Sequence, residues 1–328
     1  MAAHAGLLTA GLGLAGRVAT AQPGPARPID YTALRAAVEA RAAALRAAVP
    51  VAVVAVSVRD LAPGGGALDV APDSVFHAAS TMKLPVMIEA VRQSERGALP
   101  LDQRVLLVNR FASAADGSPY ALSPSDDSDS SAYALVGTRV AVGELVRRMI
   151  VRSSNLATNA VLELVPPAEV TATARALGAR RGVVRRGVED NVAFRAGIIN
   201  TTTAPDLAAL LAAVEGGRAA SPAGTAWMRG VLLAQEFGAE IPAGLPRGTP
   251  VAHKTGSIRG VLHDAAVVYP PGRAPYVLVV LTRGVPDEAA ARAAIVDVSR
   301  AVWGAVGSTP PGPPASQAPP IAAPPSSS

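Results

Sequence analysis

No cysteine occurs in the 328 residues, which excludes disulfides, thiolate metal sites and a cysteine nucleophile together. Histidine is almost as scarce. His4, His77, His253 and His263 are too few for a histidine-built metal centre, so neither a metal nor a cofactor is expected. Aromatic residues make up 3% and provide no stacking platform, so the net charge of +5 does not read as a nucleic-acid surface. No uncharged apolar run reaches the ~18 residues of a bilayer span. With 50% hydrophobic and only 17% charged residues, the chain is not disordered over most of its length. The most informative scarcity is lysine. Of 30 basic residues only Lys83 and Lys254 are lysine, and the other 28 are arginine. A guanidinium keeps its proton at any accessible pH, whereas an amine can lose it. The two lysines therefore mark places where the chain retains a deprotonatable group.

Residues 6–16 form a short apolar run followed by Ala19-Thr20-Ala21, a small-x-small pattern. This reads as a signal peptide over residues 1–21, hence export to the periplasm or the outside. Residues 307–328 are a Pro/Ala/Ser tail without a charge, which cannot pack a core.

Between the tails the periodicity predicts a helix over 31–48 and strands at 51–58 and 68–70. Helices follow at 80–93, 143–150, 155–164, 205–214 and 223–233. Strands return at 251–253, 261–269 and 276–282, and a helix over 287–302 closes the chain. Strands at both ends most simply share one sheet, with the helical middle inserted. The expectation is an α+β sandwich: an antiparallel sheet of about five strands, flanked by the N- and C-terminal helices, with an all-helical lobe. Residues 29–78 and 216–306 would form the α/β lobe and 79–215 the helical lobe. The Ser/Asp/Gly/Pro stretch 112–131 is either an exposed insertion or a mobile rim.

Lys83 stands in Ser80-Thr81-Met82-Lys83 and Lys254 in Lys254-Thr255-Gly256. With 21 serines in the chain, a serine three residues before a given lysine arises by chance about 6% of the time. A Thr-Gly following one arises about 0.5% of the time. Three residues is about one helical turn, so the Ser80 hydroxyl and the Lys83 amine share a face at the predicted helix start. There the free N–H groups favour negative charge developing at an attacked carbonyl. A neutral lysine can accept the serine proton, and a charged one can polarise it. The bland alternative is a capping serine with a solvated lysine. Lys254, Thr255 and Ser257 beside side-chain-free Gly256 suit a carboxylate lying along a strand; an edge-strand lysine that discourages aggregation is the alternative. Ser153-Ser154-Asn155 opens another helix, and Asn159 shares a face with Asn155, which points to an internal polar contact.

Ser80-x-x-Lys83, Ser153-x-Asn155 and Lys254-Thr255-Gly256, in that order, resemble the class A β-lactamases and related penicillin-recognising serine hydrolases. The resemblance covers about residues 30–305 and implies a monomeric serine hydrolase acting on small-molecule β-lactams. It implies Ser80 as nucleophile, Lys83 as its activator, Ser153 as proton relay and Glu189 as the base for deacylation. Lys254, Thr255 and Ser257 would hold the substrate carboxylate, with Arg259 as a second positive charge. Asn155 would bind the substrate's side-chain amide, and the N–H groups of Ser80 and Ser257 would form the oxyanion hole. Two departures stand out: Ser154 replaces the usual Asp, and Ala193 replaces an asparagine four residues after the glutamate, with Asn191 nearby. The second implies competent acylation with slow hydrolysis. A loop ion pair of Glu189 with Arg185 or Arg186 is the alternative role for that carboxylate. A D,D-peptidase or esterase on the same scaffold, or a low-turnover penicillin-binding sensor, are the competing readings.

Overall fold

The computed structural model describes residues 29–306. The proposed signal peptide and the C-terminal tail lie outside the described residues.

Helix α1 (Tyr31–Ala48) starts where Asp30 accepts the N–H groups of Thr32 and Ala33, both at 3.0 Å. Its buried Leu34, Val38, Ala42 and Leu45 recur every three or four residues, forming one apolar stripe. The main sheet contains β1 (Val53–Asp60), β2 (Ala67–Val70), β3 (Val251–Ile258), β4 (Val261–Val268) and β5 (Tyr276–Arg283). Its order is β2-β1-β5-β4-β3 and every neighbouring pair is antiparallel. The chain closes with a C-terminal helix (Glu288–Val306) packed on α1 and the same sheet face. The α+β class and the five-stranded antiparallel sheet are as the sequence predicts.

The central strands are apolar without alternation because both sheet faces are covered. Val54, Val56, Val58, Leu278 and Val280 pack toward the two terminal helices, while Ala55, Val277, Val279 and Leu281 pack into the other core. That second core is organised around α2 (Lys83–Glu95), whose residues from Lys83 to Val91 are all buried. Pro85 is tolerated there because the first turn of a helix has N–H groups without intrahelical partners. Around α2 lie α3 (Val142–Val151), α4 (Asn155–Leu162), α5 (Pro167–Ala176), the short α6 (Asn191–Arg195), α7 (Ala204–Glu215) and α8 (Pro222–Leu233). The boundary predicted at 215/216 falls between α7 and α8. Both pack on the sheet, α7 against β1, β4 and β5, and α8 against β3.

Candidate active site

Ser80 is not at the first turn of an α-helix. It lies in a 3-10 turn (Ala79–Met82), and α2 begins only at Lys83. Neither junction has a side-chain capping bond, so Ser80 is not a capping serine. The turn is set by the residue before it: Ala79 has φ +46°, a left-handed conformation that non-glycine residues rarely adopt. Ser153 (φ +56°) and Glu189 (φ +57°) share this feature, so three of the four positive-φ non-glycine residues among the described residues belong to this neighbourhood. Each such residue costs of order 1–3 kcal/mol and persists only where its surroundings over-determine it. Gly256 explains the close approach of β3. A Cβ there would stand 3.0 Å from the backbone nitrogens of both Ser80 and Thr81. Its missing side chain thus admits the Ser80 turn rather than, as expected from the sequence, a ligand.

Both lysines are fully buried, which disposes of the solvated-lysine and edge-lysine alternatives. The Lys83 amine donates to the Ser153 carbonyl at 2.6 Å, the Ser153 hydroxyl at 3.1 Å and Asn155 Oδ1 at 2.9 Å. Lys254 donates to the same Ser153 hydroxyl at 3.1 Å and to the Thr255 carbonyl at 2.9 Å. One hydroxyl therefore sits between two amines. Burial, reinforced by the Lys254 charge, pushes the Lys83 amine well below its ordinary range, against the pull of Asp127 and Glu189. Burial likewise pushes Lys254 down to about 7, opposed by Asp264 and Glu240. An amine held neutral near physiological pH is a proton acceptor, a state arginine cannot supply.

Glu189 does not pair with Arg185 or Arg186. Its Oε1 accepts from Asn155 Nδ2 at 2.6 Å, so Asn155 joins Glu189 to Lys83. Burial raises the Glu189 carboxyl above the usual range, opposed by that amide bond. The segment carrying it is fastened by side chains to backbone. Asn159 Oδ1 accepts from Val188 N at 2.8 Å and its Nδ2 donates to the Val188 carbonyl at 3.1 Å, which is the internal contact its helical register predicts. Asp190 caps α6 through Ala193 N at 3.0 Å and accepts from Ser113 Oγ and Ala114 N, both at 2.8 Å. Gly187 is confined between Asn159 and Tyr120, where a Cβ would lie 2.7 Å from each. Arg186 is only 6% exposed; its guanidinium donates to the Ile198 and Gly187 carbonyls at 2.8 and 2.9 Å.

Two cavities meet at Ser80. One, about 350 Å³, is lined by Ser80, Ser153, Asn155, Thr255, Gly256 and Ser257. The other, about 470 Å³, is lined by Ser80, Asn155, Glu189, Asn191, Ser257 and Arg259 among others. Arg259 thus stands on the Glu189 side, exposed at the β3–β4 turn, and not beside Thr255 and Gly256. The guanidinium on the Thr255 side is Arg292, paired with Glu240 at 3.2 Å and with Glu288 at 2.5 Å. One arginine among 28 gave no sequence signal for that position.

The stretch 112–131 is exposed over most of its length, as an insertion would be, but buried residues anchor it to the site. Asp127, 7% exposed, accepts the N–H of Asn155 at 2.9 Å and of Leu156 at 2.8 Å. A carboxylate from a distant loop thereby serves the start of α4, next to Ser154, the position at which the sequence departs from the family pattern it resembles. Ser154 itself caps the helix through Ala157 N at 3.2 Å. Ser128 Oγ adds a bond to the Ser153 carbonyl at 3.3 Å. The aspartates of this stretch were visible in sequence, but nothing local told which one turns inward.

The β-lactamase enzyme family matches residues 36–306. A β-lactamase of Streptomyces albus G is 32% identical over 223 residues, covering 66% of this chain and 68% of its own. The structure of a β-lactamase from Sphaerobacter thermophilus DSM 20745 aligns with a TM-score of 0.67 at 28% identity, over 86% of this chain and all of its own. A mutant of PBP-A, solved as an acyl-enzyme complex with penicillin G, aligns with a TM-score of 0.69 at 25% identity, over 86% of this chain and 98% of its own. The chain belongs to the β-lactamase enzyme family. It is an enzyme of that type.

Proposed function

We propose that the enzyme opens β-lactam rings through a covalent acyl-enzyme on Ser80 and hydrolyses it with water activated by Glu189. The observation that carries this reading is the continuous chain Glu189–Asn155–Lys83–Ser153–Lys254 beside Ser80. The Ser80 hydroxyl attacks the ring carbonyl carbon and its proton passes to neutral Lys83, directly or through water. The backbone N–H groups of Ser80 and Ser257 stabilise the oxyanion. The ring C–N bond then breaks, and its nitrogen takes a proton from the Ser153 hydroxyl, which Lys83 or Lys254 replenishes. Water attacks the ester, Glu189 takes its proton, and the C–O bond to Ser80 breaks with return of a proton to the serine. Lys254, Thr255 and Ser257 hold the substrate carboxylate, and Asn155 holds the side-chain amide.

Deacylation is the slower half. Ala193 is fully buried and presents nothing to the cavity, whereas Asn191 lines it. That feature, with the likeness to an acylated PBP-A, favours as second reading a protein that acylates and releases slowly. A two-lobed division at 79–215, export through residues 1–21 and a monomeric state complete the proposal. Mixing the enzyme with a chromogenic cephalosporin, with intact mass followed in parallel, tests both readings. A burst followed by sustained turnover is the expected result; a burst without turnover establishes the second reading. A chain that gains no acyl mass, or keeps gaining it as Ser80→Ala, refutes the nucleophile.

A further inference from the structure

We propose that His77 is a positioning residue for the nucleophile turn, acting through the lone pair of its Nδ1. The inference rests on the reading of Ser80 as nucleophile. His77 Nδ1 accepts the N–H of Ala79 at 3.0 Å. Ala79 is the left-handed residue (φ +46°) directly before Ser80, so the imidazole anchors the strained link that orients the serine. This is the local side-chain-to-backbone bond that Asx turns use, made here by a histidine. The backbone on either side is fixed independently. Phe76–His77 pairs with Thr201–Thr202, Ala78 N donates to the Asn200 carbonyl at 2.9 Å, and His263 Nε2 lies 3.0 Å from the His77 carbonyl. Ala79 N is thus held by the ring alone, among the bonds of this segment.

The opposite edge of the ring faces the segment that carries Glu189. Arg186 lies 3.5 Å from Nε2, and the Phe194 ring stands edge-on at 6.1 Å. A neutral imidazole has one lone pair. With that lone pair on Nδ1 directed at Ala79, Nε2 carries the proton and cannot also accept from Arg186. Protonation removes the acceptor altogether and sets two cations against each other. The charged and titratable groups around the ring are Arg186, His263 behind it on β4, and Glu189, Asp126 and Arg259 across the shared cavity. Burial first, and Arg186 second, hold the His77 pKa below its ordinary value, so the ring is neutral at pH 7. His263, pushed to about 4 by burial, stays neutral over the same range. Protonation of the ring therefore releases Ala79 and loosens the nucleophile turn. His77 couples the acylating turn to the deacylating segment.

The test compares His77→Asn, whose Oδ1 replaces Nδ1 as a non-titrating acceptor, with His77→Ala. Second-order acylation by penicillin is measured from pH 4.5 to 8 by intact mass, and Ala79 amide exchange is measured on the unliganded protein. At pH 7.5 His77→Ala should acylate roughly 10–100-fold more slowly, the scale of a reactant misplaced by about an ångström. Its Ala79 amide should exchange freely. His77→Asn should acylate close to wild type, protect Ala79, and show a smaller acid decline than wild type. An His77→Ala protein that acylates at the wild-type rate overturns the proposal. So does an His77→Asn protein as slow as His77→Ala, or one with the wild-type acid decline. Absence of acylation in wild type would refute the Ser80 reading itself, and Ala79 exchange would still judge His77 separately.

Discussion

The two halves of this site are built by different means. The acylating half hangs on regular elements: Lys83 opens α2, Lys254 sits in β3, and both are sealed in the core. The deacylating half hangs on an irregular segment between α5 and α7, with Glu189 in a left-handed conformation. That segment is held by individual side chains, Asn159 on Val188, Asp190 on the 113–114 backbone, and Asn200 on Arg185 N at 2.7 Å. A buried helix or strand fixes a side chain through many weak contacts, none of which is decisive. A loop fixes one through a few strong bonds, each of which is. Acylation should therefore be sensitive to its reacting groups and to the single His77 bond that holds the Ser80 turn, and deacylation to the several fastenings of its loop.

The largest effect follows from the reacting groups of the first half. Ser80→Ala should gain no penicilloyl mass at all. Lys83→Arg replaces an amine that can give up its proton with a guanidinium that cannot, and it places a larger side chain in a fully buried position. Acylation should fall by roughly 10²–10⁴-fold, the worth of a general base. A Lys83→Arg enzyme acylating within tenfold of wild type, by about the same mass assay, would show that proton acceptance lies elsewhere.

Next in size is the reacting group of the second half. Glu189→Gln keeps an oxygen for the Asn155 amide but cannot take a proton from water. Acylation should stay near wild type while the acyl-enzyme lifetime rises roughly 10²–10⁴-fold. Should the acyl group leave Glu189→Gln as fast as it leaves wild type, the base is another residue.

The fastenings give a smaller and more selective effect. Asn159→Ala leaves the Val188 N–H without its partner and the Val188 carbonyl with only the Tyr120 hydroxyl at 3.5 Å, at a cost of about 1–3 kcal/mol. Glu189 should then wander by about an ångström, slowing deacylation by up to roughly a hundredfold with acylation little changed. Equal slowing of both steps would break the contrast between the halves. Ala193→Asn should not restore fast hydrolysis. Its side chain would enter a packed interior rather than the cavity, so lower thermal stability is the expected result.

The same contrast decides what could be read from sequence. Ser80, Lys83 and Lys254 were legible because helix and strand have fixed periods, and because arginine had displaced lysine everywhere else. The five strands and the long helices were legible from apolar runs and spacing. The nucleophile turn was misplaced by one turn, since a 3-10 lead-in has no period long enough to detect. The short α6 and the Thr- and Pro-rich α5 lack an apolar stripe. Asp127, Arg186 and His77 were missed for a deeper reason. Their roles come from partners such as Asn155, 28 residues away, or from a bond to a neighbouring backbone N–H. No local pattern distinguishes Asp127 from Asp126, one buried and one exposed.

The smallest effect separates the two lysines of the acylating half. Burial and the Lys254 charge hold the Lys83 amine well below its ordinary range. Lys254 titrates at about 7, and its charge is what a substrate carboxylate would meet. As pH rises through 7 the free enzyme loses that charge, and a carboxylate-bearing substrate must bind together with a proton. Its second-order acylation rate should then fall, by up to about tenfold per pH unit in the linked regime. A β-lactam whose carboxylate is esterified gains nothing from the charge and should show no such fall. Because Lys83 acts on both substrates alike, the ratio of the two rates cancels its titration and reports Lys254 alone. Measured from pH 6 to 9, that ratio should decline with a midpoint near 7. A ratio that stays level across this range removes Lys254 from carboxylate binding, and leaves it as a partner of the Ser153 hydroxyl only.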